Sequence, residues 1–144
     1  GNPFTREEPF FSKFNELMKV TDLFMLDIKQ IDDEKHKKLT GWTNSNILDL
    51  AQYLSDNGKA MWIRHVLVPG ITTDDADLEK LRDFVGSLKT VERFEILPYH
   101  TLGVFKWENL GIPYELGDVM PPTKEEIAHA EEILHTADYK DYAK

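Results

Sequence analysis

Leu23-Phe24-Met25-Leu26-Asp27-Ile28-Lys29 is a short apolar stretch that ends in an acid and a base. It is too short for a helix and rich in large apolar residues, which is typical of a buried strand. Alternate residues of a strand share a face, so Asp27 and Lys29 lie with Met25 opposite an apolar face. Ligands of open α/β sheets and barrels bind at the carboxyl ends of the strands. The stretch therefore predicts either a ligand-binding strand end or a structural ion pair between Asp27 and a nearby base.

The composition limits the classes of partner and cofactor. The 144 residues include 17 basic and 26 acidic residues, for a formal charge of −9, and no cysteine. An acidic chain lacks the basic surface that nucleic acids and anionic membranes require, so we expect neither as a partner. The absence of cysteine excludes disulfides and cysteine-ligated metals within these residues. No secretory signal opens the sequence, and we expect a soluble cytoplasmic protein.

Predicted strands alternate with predicted helices along the chain. A helix over 10–18 precedes the first strand, over 22–28. Two helices follow: a short charged helix that Asp32 and Asp33 open and that ends near Gly41, and a helix that Thr43 or Asn44 caps and that ends at Gly58. After them come a strand over 60–68, a helix starting near Thr73, a strand over 91–97, a loop over 99–122 and a helix with a capping box at Thr123 and Glu126. This alternation implies right-handed crossovers and a parallel sheet. Three strands leave two open edges. Because the chain also lacks an initiator methionine, we expect residues 1–144 to be one fragment of a larger α/β barrel or sheet.

The second and third strands also carry charge on one face. Trp62, Arg64 and Val66 share a face of the second strand, and Glu95 and Leu97 share a face of the third. A barrel whose inner face lines a polar cavity gives this pattern. Arg64 and Glu95 are expected to neutralise each other across adjacent strands, because buried charges are rarely unpaired. A ligand role for Arg64 stays open, since its rigid fork suits carboxylates and carbonyls.

The five histidines divide by position. His36, His129 and His135 lie on predicted helix surfaces and are expected to be solvated, whereas His65 faces the helices and is expected to be a core residue. His100 follows the end of the third strand, on the rim where the first strand also ends. No spacing resembles a zinc site. We therefore interpret His100 as a hydrogen-bonding or stacking residue for a ligand.

Three ordered blocks of sequence resemble the pyruvate formate-lyase activating enzymes, a family of radical S-adenosylmethionine enzymes. The blocks are VTDLFMLDIKQ (20–30), MWIRHVLVPG (61–70) and EILPYHTLG (95–103), while Lys106-Trp107 and Pro121-Pro122-Thr123-Lys124 fit the family's last segment. The resemblance covers nearly the whole chain. It implies the carboxyl-terminal half of a partial (β/α)6 TIM-like barrel, with about three parallel strands and flanking helices.

The resemblance also implies an activity for the longer parent protein. In this family a [4Fe–4S] cluster reductively cleaves S-adenosylmethionine, with electrons from a donor such as flavodoxin. The resulting 5′-deoxyadenosyl radical takes a hydrogen from a glycine of pyruvate formate-lyase or a related glycyl radical enzyme. The cluster-binding cysteines lie in the family's other half. The fragment alone is therefore expected to be inactive and to self-associate through its edge strands, 22–28 and 91–97.

Site roles follow from the same resemblance. Asp27, Ile28, Lys29 and His100 match the residues that contact S-adenosylmethionine, and Lys29 would pair with the methionine carboxylate. Asp27 and the Met25 carbonyl resemble a monovalent cation site, for which oxygen ligands are suitable. Arg64 would face the substrate peptide.

Two other functions remain open. The chain could be part of a barrel enzyme of the aldolase or isomerase type that uses Lys29 as an amine nucleophile, which requires a desolvated lysine with a lowered pKa. It could also be a non-catalytic acidic interaction domain.

Overall fold

The computed structural model describes residues 4–100 and 119–139, so the predictions for residues 101–103 and for Lys106-Trp107 lie outside the described residues. The elements are α1 (Phe10–Lys19), β1 (Phe24–Asp27), α2 (Asp33–Thr40), α3 (Ser45–Asp56), β2 (Met61–Leu67), α4 (Asp75–Ser87), β3 (Val91–Pro98), α5 (Lys124–Leu134) and a 3-10 helix (Thr136–Asp138). Among the described residues, none of the helices combines the length and the hydropathy that a bilayer span requires.

The three strands form a parallel sheet in the order β1-β2-β3. Helices α2 and α3 connect β1 to β2, and α4 connects β2 to β3. The predicted α/β class is confirmed. Since β2 is central, β1 and β3 are the two edges of the described sheet, as the sequence predicts.

One face of the sheet packs against the helices. On this face Ile28, Ile63 and Phe94 are fully buried and join a core with Leu54, Leu81 and Leu134 of the helices, while Phe24 and Ile96 are partly buried against it. Ile28, Ile63 and Phe94 are each next in sequence to a charged residue such as Asp27 or Arg64, so the two kinds of side chain point to opposite faces of the sheet. The core therefore holds the sheet so that its charged face points away from the helices.

Local capping explains where several helices begin and end. Asp32 accepts a hydrogen bond from the Lys35 backbone N–H at 2.9 Å, and α2 ends at Gly41, whose φ of 82° suits a residue without a side chain. Asp74 caps α4, and α5 begins with the predicted capping box of Thr123 and Glu126. These signals lie within a few residues of each boundary, which is why the sequence locates them well.

Candidate functional site

The charged face of the sheet forms a row across the three strands. The register places Asp27 beside Arg64 and Arg64 beside Glu95. Arg64 Nε donates to Asp27 Oδ1 at 2.7 Å, whereas Glu95 Oε2 lies 2.9 Å from Arg93 Nη2. The expected ion pair between Arg64 and Glu95 is therefore wrong, because Arg93, on the same face of β3, supplies the base for Glu95. The alternative of a strand-end ion pair at Asp27 is confirmed, with Arg64 as the base.

The ion pair between Asp27 and Arg64 remains partly open to solvent. The two side chains are 27% and 28% exposed. Next to them, Met25 is 51% exposed, and the Arg93 guanidinium lies 5.0 Å from the ring centroid of Trp62. A partly exposed guanidinium held by a carboxylate presents its remaining donors in a fixed orientation. The row can therefore meet a polar ligand without reorganising.

Lys29 lies two residues beyond Asp27, past the carboxyl end of β1. Burial lowers the pKa of its ammonium group, and the nearby charge of Asp27 acts in the opposite direction. The Lys29 ammonium group therefore lies partly out of water, and an anionic ligand beside it would favour its charged form. Such a position is compatible with binding a carboxylate or phosphate.

The backbone around Lys29 is held from several sides. The Ile28 N–H donates to the Arg64 carbonyl at 2.9 Å, and the Ile28 carbonyl lies 2.8 Å from His65 Nδ1. Asn44 Nδ2 donates to the Gln30 carbonyl at 3.2 Å and to the Ile31 carbonyl at 2.7 Å. Hydrogen bonds thus fix the residues before and after Lys29. Sequence reasoning places His65 correctly in the core but misses this use of Asn44, which is adjacent to α3 without capping it through its side chain.

A buried carboxylate near this segment also escapes sequence reasoning. Asp77 is 5% exposed and accepts from Lys35 Nζ at 2.6 Å and from Gln30 Nε2 at 3.4 Å. Gln30 and Lys35 line an open surface cleft of about 290 Å³. Asp77 and Leu81 are four residues apart and therefore lie on the same, buried face of α4. This spacing is the sequence signal that predicts a buried carboxylate at Asp77.

The structure corrects one of the expectations about histidines. His36 is 8% exposed rather than solvated, because the turn after α2 folds back and brings the Trp42 carbonyl within 2.6 Å of His36 Nδ1. His129 and His135 are exposed as expected. His129 contacts Asp75 at 3.0 Å.

His100 is exposed and lies two residues beyond the end of β3. It therefore lies on the same rim as Lys29, with β2 between them. Neighbouring strands are about 4.8 Å apart, so the ends of β1 and β3 are separated by roughly 10 Å. That separation suits an elongated ligand better than a single ion.

A metal centre finds little support in these residues. The chain has no cysteine, and the described residues contain no group of three or more His, Asp or Glu side chains arranged to hold a metal ion. The residues present therefore do not fit an iron–sulfur cluster. Asp27 Oδ1 already accepts from Arg64. The monovalent cation at Asp27 and the Met25 carbonyl remains a prediction.

Comparison with known proteins identifies homologues over nearly the whole chain. A protein from Streptococcus mutans named pyruvate formate-lyase-activating enzyme is 53% identical over 141 residues, which are 98% of this chain and 54% of that protein. A protein of the same name from Staphylococcus epidermidis is 58% identical over 125 residues, which are 86% of this chain and 50% of that protein. The chain thus spans about half the length of the curated relatives it matches. No family model matches the chain.

Solved structures support the fold. A domain of pyruvate-formate lyase-activating enzyme from Bacteroides vulgatus superposes with a TM-score of 0.72 at 22% identity, covering 90% of this chain and 71% of the other. A radical SAM methyltransferase from Sphaerobacter thermophilus gives a TM-score of 0.58 at 16% identity, covering 81% of this chain and 31% of the other. Both similarities concern the fold alone.

Proposed function

We propose that this chain is the carboxyl-terminal half of the barrel of a pyruvate formate-lyase-activating enzyme. It is homologous to about half the length of proteins with that name. The longer protein would be a cytoplasmic oxidoreductase that generates a glycyl radical on pyruvate formate-lyase or a related enzyme, with electrons from a donor such as flavodoxin. The observation that carries the proposal is the identity above 50% along nearly all of this chain.

S-adenosylmethionine is the proposed ligand of the rim formed by the strand ends. Lys29 supports this proposal because its ammonium group is held partly out of water, where a methionine carboxylate would offset its desolvation. His100, at the other edge of the described sheet, would contact the nucleoside part, and the Ile28 backbone, next to Lys29, would also line the cofactor. When bound, the cofactor supplies the radical chemistry, and the role of these residues is to bind and orient it.

The row of charges next to this rim would contact the substrate. Arg64, held by Asp27, would donate to carbonyl groups of the peptide that carries the target glycine. Asp27 would have a second role, with the Met25 carbonyl, as a ligand of a monovalent cation. Because the chain contains no cysteine, the iron–sulfur cluster would be bound by the other half of the protein.

The test uses the complete enzyme that includes this chain and its cysteine-containing half, purified without oxygen and reconstituted with iron and sulfide. With a reductant, S-adenosylmethionine and pyruvate formate-lyase, we expect 5′-deoxyadenosine and a glycyl radical signal in electron paramagnetic resonance. Lys29→Ala should reduce both products by about tenfold to a hundredfold, since one charge-assisted contact contributes about 1.5–3 kcal/mol. His100→Ala should act in the same direction.

A matched control is His129→Ala, which alters an exposed histidine of α5 that pairs with Asp75. It should leave both products unchanged. Cleavage of S-adenosylmethionine without a radical on pyruvate formate-lyase would keep the enzyme class and assign a different partner. The absence of cofactor cleavage in a fully reconstituted enzyme would contradict the proposal.

One observation favours a second function. Burial lowers the pKa of Lys29, which is the condition for an amine that forms a Schiff base in an aldolase-type barrel enzyme. Asp27 opposes this effect by stabilising the ammonium form. Borohydride reduction in the presence of carbonyl substrates would trap a covalent adduct at Lys29 if this function were correct, and we expect no adduct.

A further inference from the structure

Lys29 is the residue on which cofactor binding depends in the proposed function, and its position depends on the segment that carries it. The segment follows Asp27, the last residue of β1 that is paired with β2, and the Ile28 N–H donates to the Arg64 carbonyl at 2.9 Å. A flexible four-carbon side chain on a mobile backbone would bind a carboxylate weakly, because both would have to be ordered on binding. Contacts from other elements to this backbone would reduce that cost.

Two buried side chains hold the backbone on either side of Lys29. His65 is 3% exposed, and its Nδ1 lies 2.8 Å from the Ile28 carbonyl. Asn44 is 4% exposed, and its Nδ2 donates to the carbonyls of Gln30 and Ile31. Neither residue needs to touch a ligand to do this. They come from β2 and from the residue before α3, so they fix the segment to two separate elements.

The ring of His65 has one short and one long contact. Its Nε2 lies 3.4 Å from the Thr72 carbonyl, against 2.8 Å between Nδ1 and the Ile28 carbonyl. A neutral imidazole has only one N–H, so we assign that hydrogen to Nδ1, where the contact is shorter. His65 then donates to the Ile28 carbonyl, one residue before Lys29.

We propose that His65 and Asn44 are positioning residues that fix the backbone on both sides of Lys29, so that its ammonium group meets the carboxylate of S-adenosylmethionine. This inference rests on the proposed function, because it assumes that Lys29 binds that carboxylate. It assigns to two buried residues a role in affinity for one functional group of the cofactor.

The test compares two ligands in the complete, reconstituted enzyme. Dissociation constants are measured without oxygen for S-adenosylmethionine and for its decarboxylated analogue, which lacks only the carboxylate. His65→Phe should lower the affinity for S-adenosylmethionine by about tenfold to a hundredfold, the usual effect of losing a group that orients a ligand-binding residue. The affinity for the analogue should change little, because the analogue makes no carboxylate contact.

Two further variants separate positioning from folding. In His65→Asn the amide nitrogen lies near the position of Nδ1, so it should recover most of the affinity that His65→Phe loses. Asn44→Ala removes both donors with a small change in volume and should show the same selective loss, even if His65→Phe fails to fold. His129→Phe makes the same chemical change at an exposed site and should have no effect.

The outcomes also distinguish this inference from the proposed function. If Lys29→Ala keeps full affinity for S-adenosylmethionine, the assignment of Lys29 fails, and the positioning role fails with it. If Lys29→Ala loses affinity while His65→Phe and Asn44→Ala do not, only the positioning role is overturned. Equal losses for both ligands in the His65 and Asn44 variants would also overturn it, since they would indicate a general change of the site.

Discussion

His65 is a titratable residue that the fold keeps neutral. Burial lowers the pKa of its imidazole, although hydrogen bonds to the carbonyls of Ile28 and Thr72 and the charge of Asp77 act in the opposite direction. A protonated ring in this position would be a buried cation with only partial compensation. The Nδ1–H donates to the Ile28 carbonyl in either protonation state, so the cost of protonation is the burial of the charge.

This pKa shift predicts the direction of the pH dependence of stability. In the unfolded chain a histidine takes up its proton near pH 6.5, whereas His65 in the folded chain does so at lower pH. The contribution of His65 is therefore complete above about pH 6.5, and it is lost as the pH falls towards the pKa of the folded state, by at most about 1.4 kcal/mol per pH unit. His36, whose pKa burial also lowers, adds to the same trend.

Urea unfolding at pH 7.5 and pH 5.5 measures this dependence. The free energy of unfolding should be smaller at pH 5.5, and the difference between the two values should shrink in His65→Asn, which has no titratable group at this position. A difference that is equal in both proteins would show that His65 does not contribute to it.

The helices show which features a local sequence pattern determines. Asp32, Gly41 and Thr123 mark helix ends through contacts with residues three or four positions away, and the structure confirms these boundaries. The contacts of His36 and Asn44 depend instead on the path of the turn between α2 and α3, which brings the Trp42 carbonyl to His36 and Asn44 to the carbonyls of residues 30–31. A charged helix pattern carries no information about that turn. The sequence therefore predicts His36 on the surface and does not reveal the role of Asn44.

The capping box of α5 predicts a defined change in stability. Thr123 Oγ1 accepts from the Glu126 N–H at 3.1 Å, and Glu126 Oε2 accepts from the Thr123 N–H at 2.8 Å. Thr123→Ala should lower the free energy of unfolding by about 1 kcal/mol, because it leaves a backbone donor of the first turn without its partner. The loss should be seen in global unfolding, since α5 buries Ala130 and Leu134 in the core. Thr123→Ser keeps the hydroxyl and should stay close to the wild type; equal losses in the two variants would contradict the capping role.

Within residues 4–100 and 119–139, the helices cover one face of the sheet and leave the other without a helix packed on it. The helices cover the apolar face, while the opposite face carries the row of Asp27, Arg64 and Glu95. Strand parity alone predicts this division. The ion-pair partner of Arg64 could not be predicted in the same way, because it depends on the register and on Arg93, which competes for Glu95. The open face and the two edge strands are the surfaces that the other half of a barrel would cover.

These open surfaces predict self-association of residues 1–144 in isolation. Strands β1 and β3 each pair on one side only within the described sheet, so each presents unpaired backbone groups to a second copy. Met25, which is 51% exposed on β1, adds an apolar contact at that edge. The charge of −9 opposes association, but salt screens it over about 8 Å at physiological ionic strength, whereas edge pairing acts at contact.

Met25→Lys tests whether association uses this edge, because a lysine on an edge strand discourages pairing with another chain. We expect light scattering to show oligomers for residues 1–144 at physiological ionic strength and a shift towards monomer in Met25→Lys. Met120→Lys is the matched control, since Met120 is 73% exposed and precedes α5 outside the sheet. Both substitutions reduce the net negative charge equally, so a general charge effect would act alike in the two variants. A monodisperse wild-type monomer at high concentration would contradict the association, and an equal shift in both variants would contradict the involvement of β1.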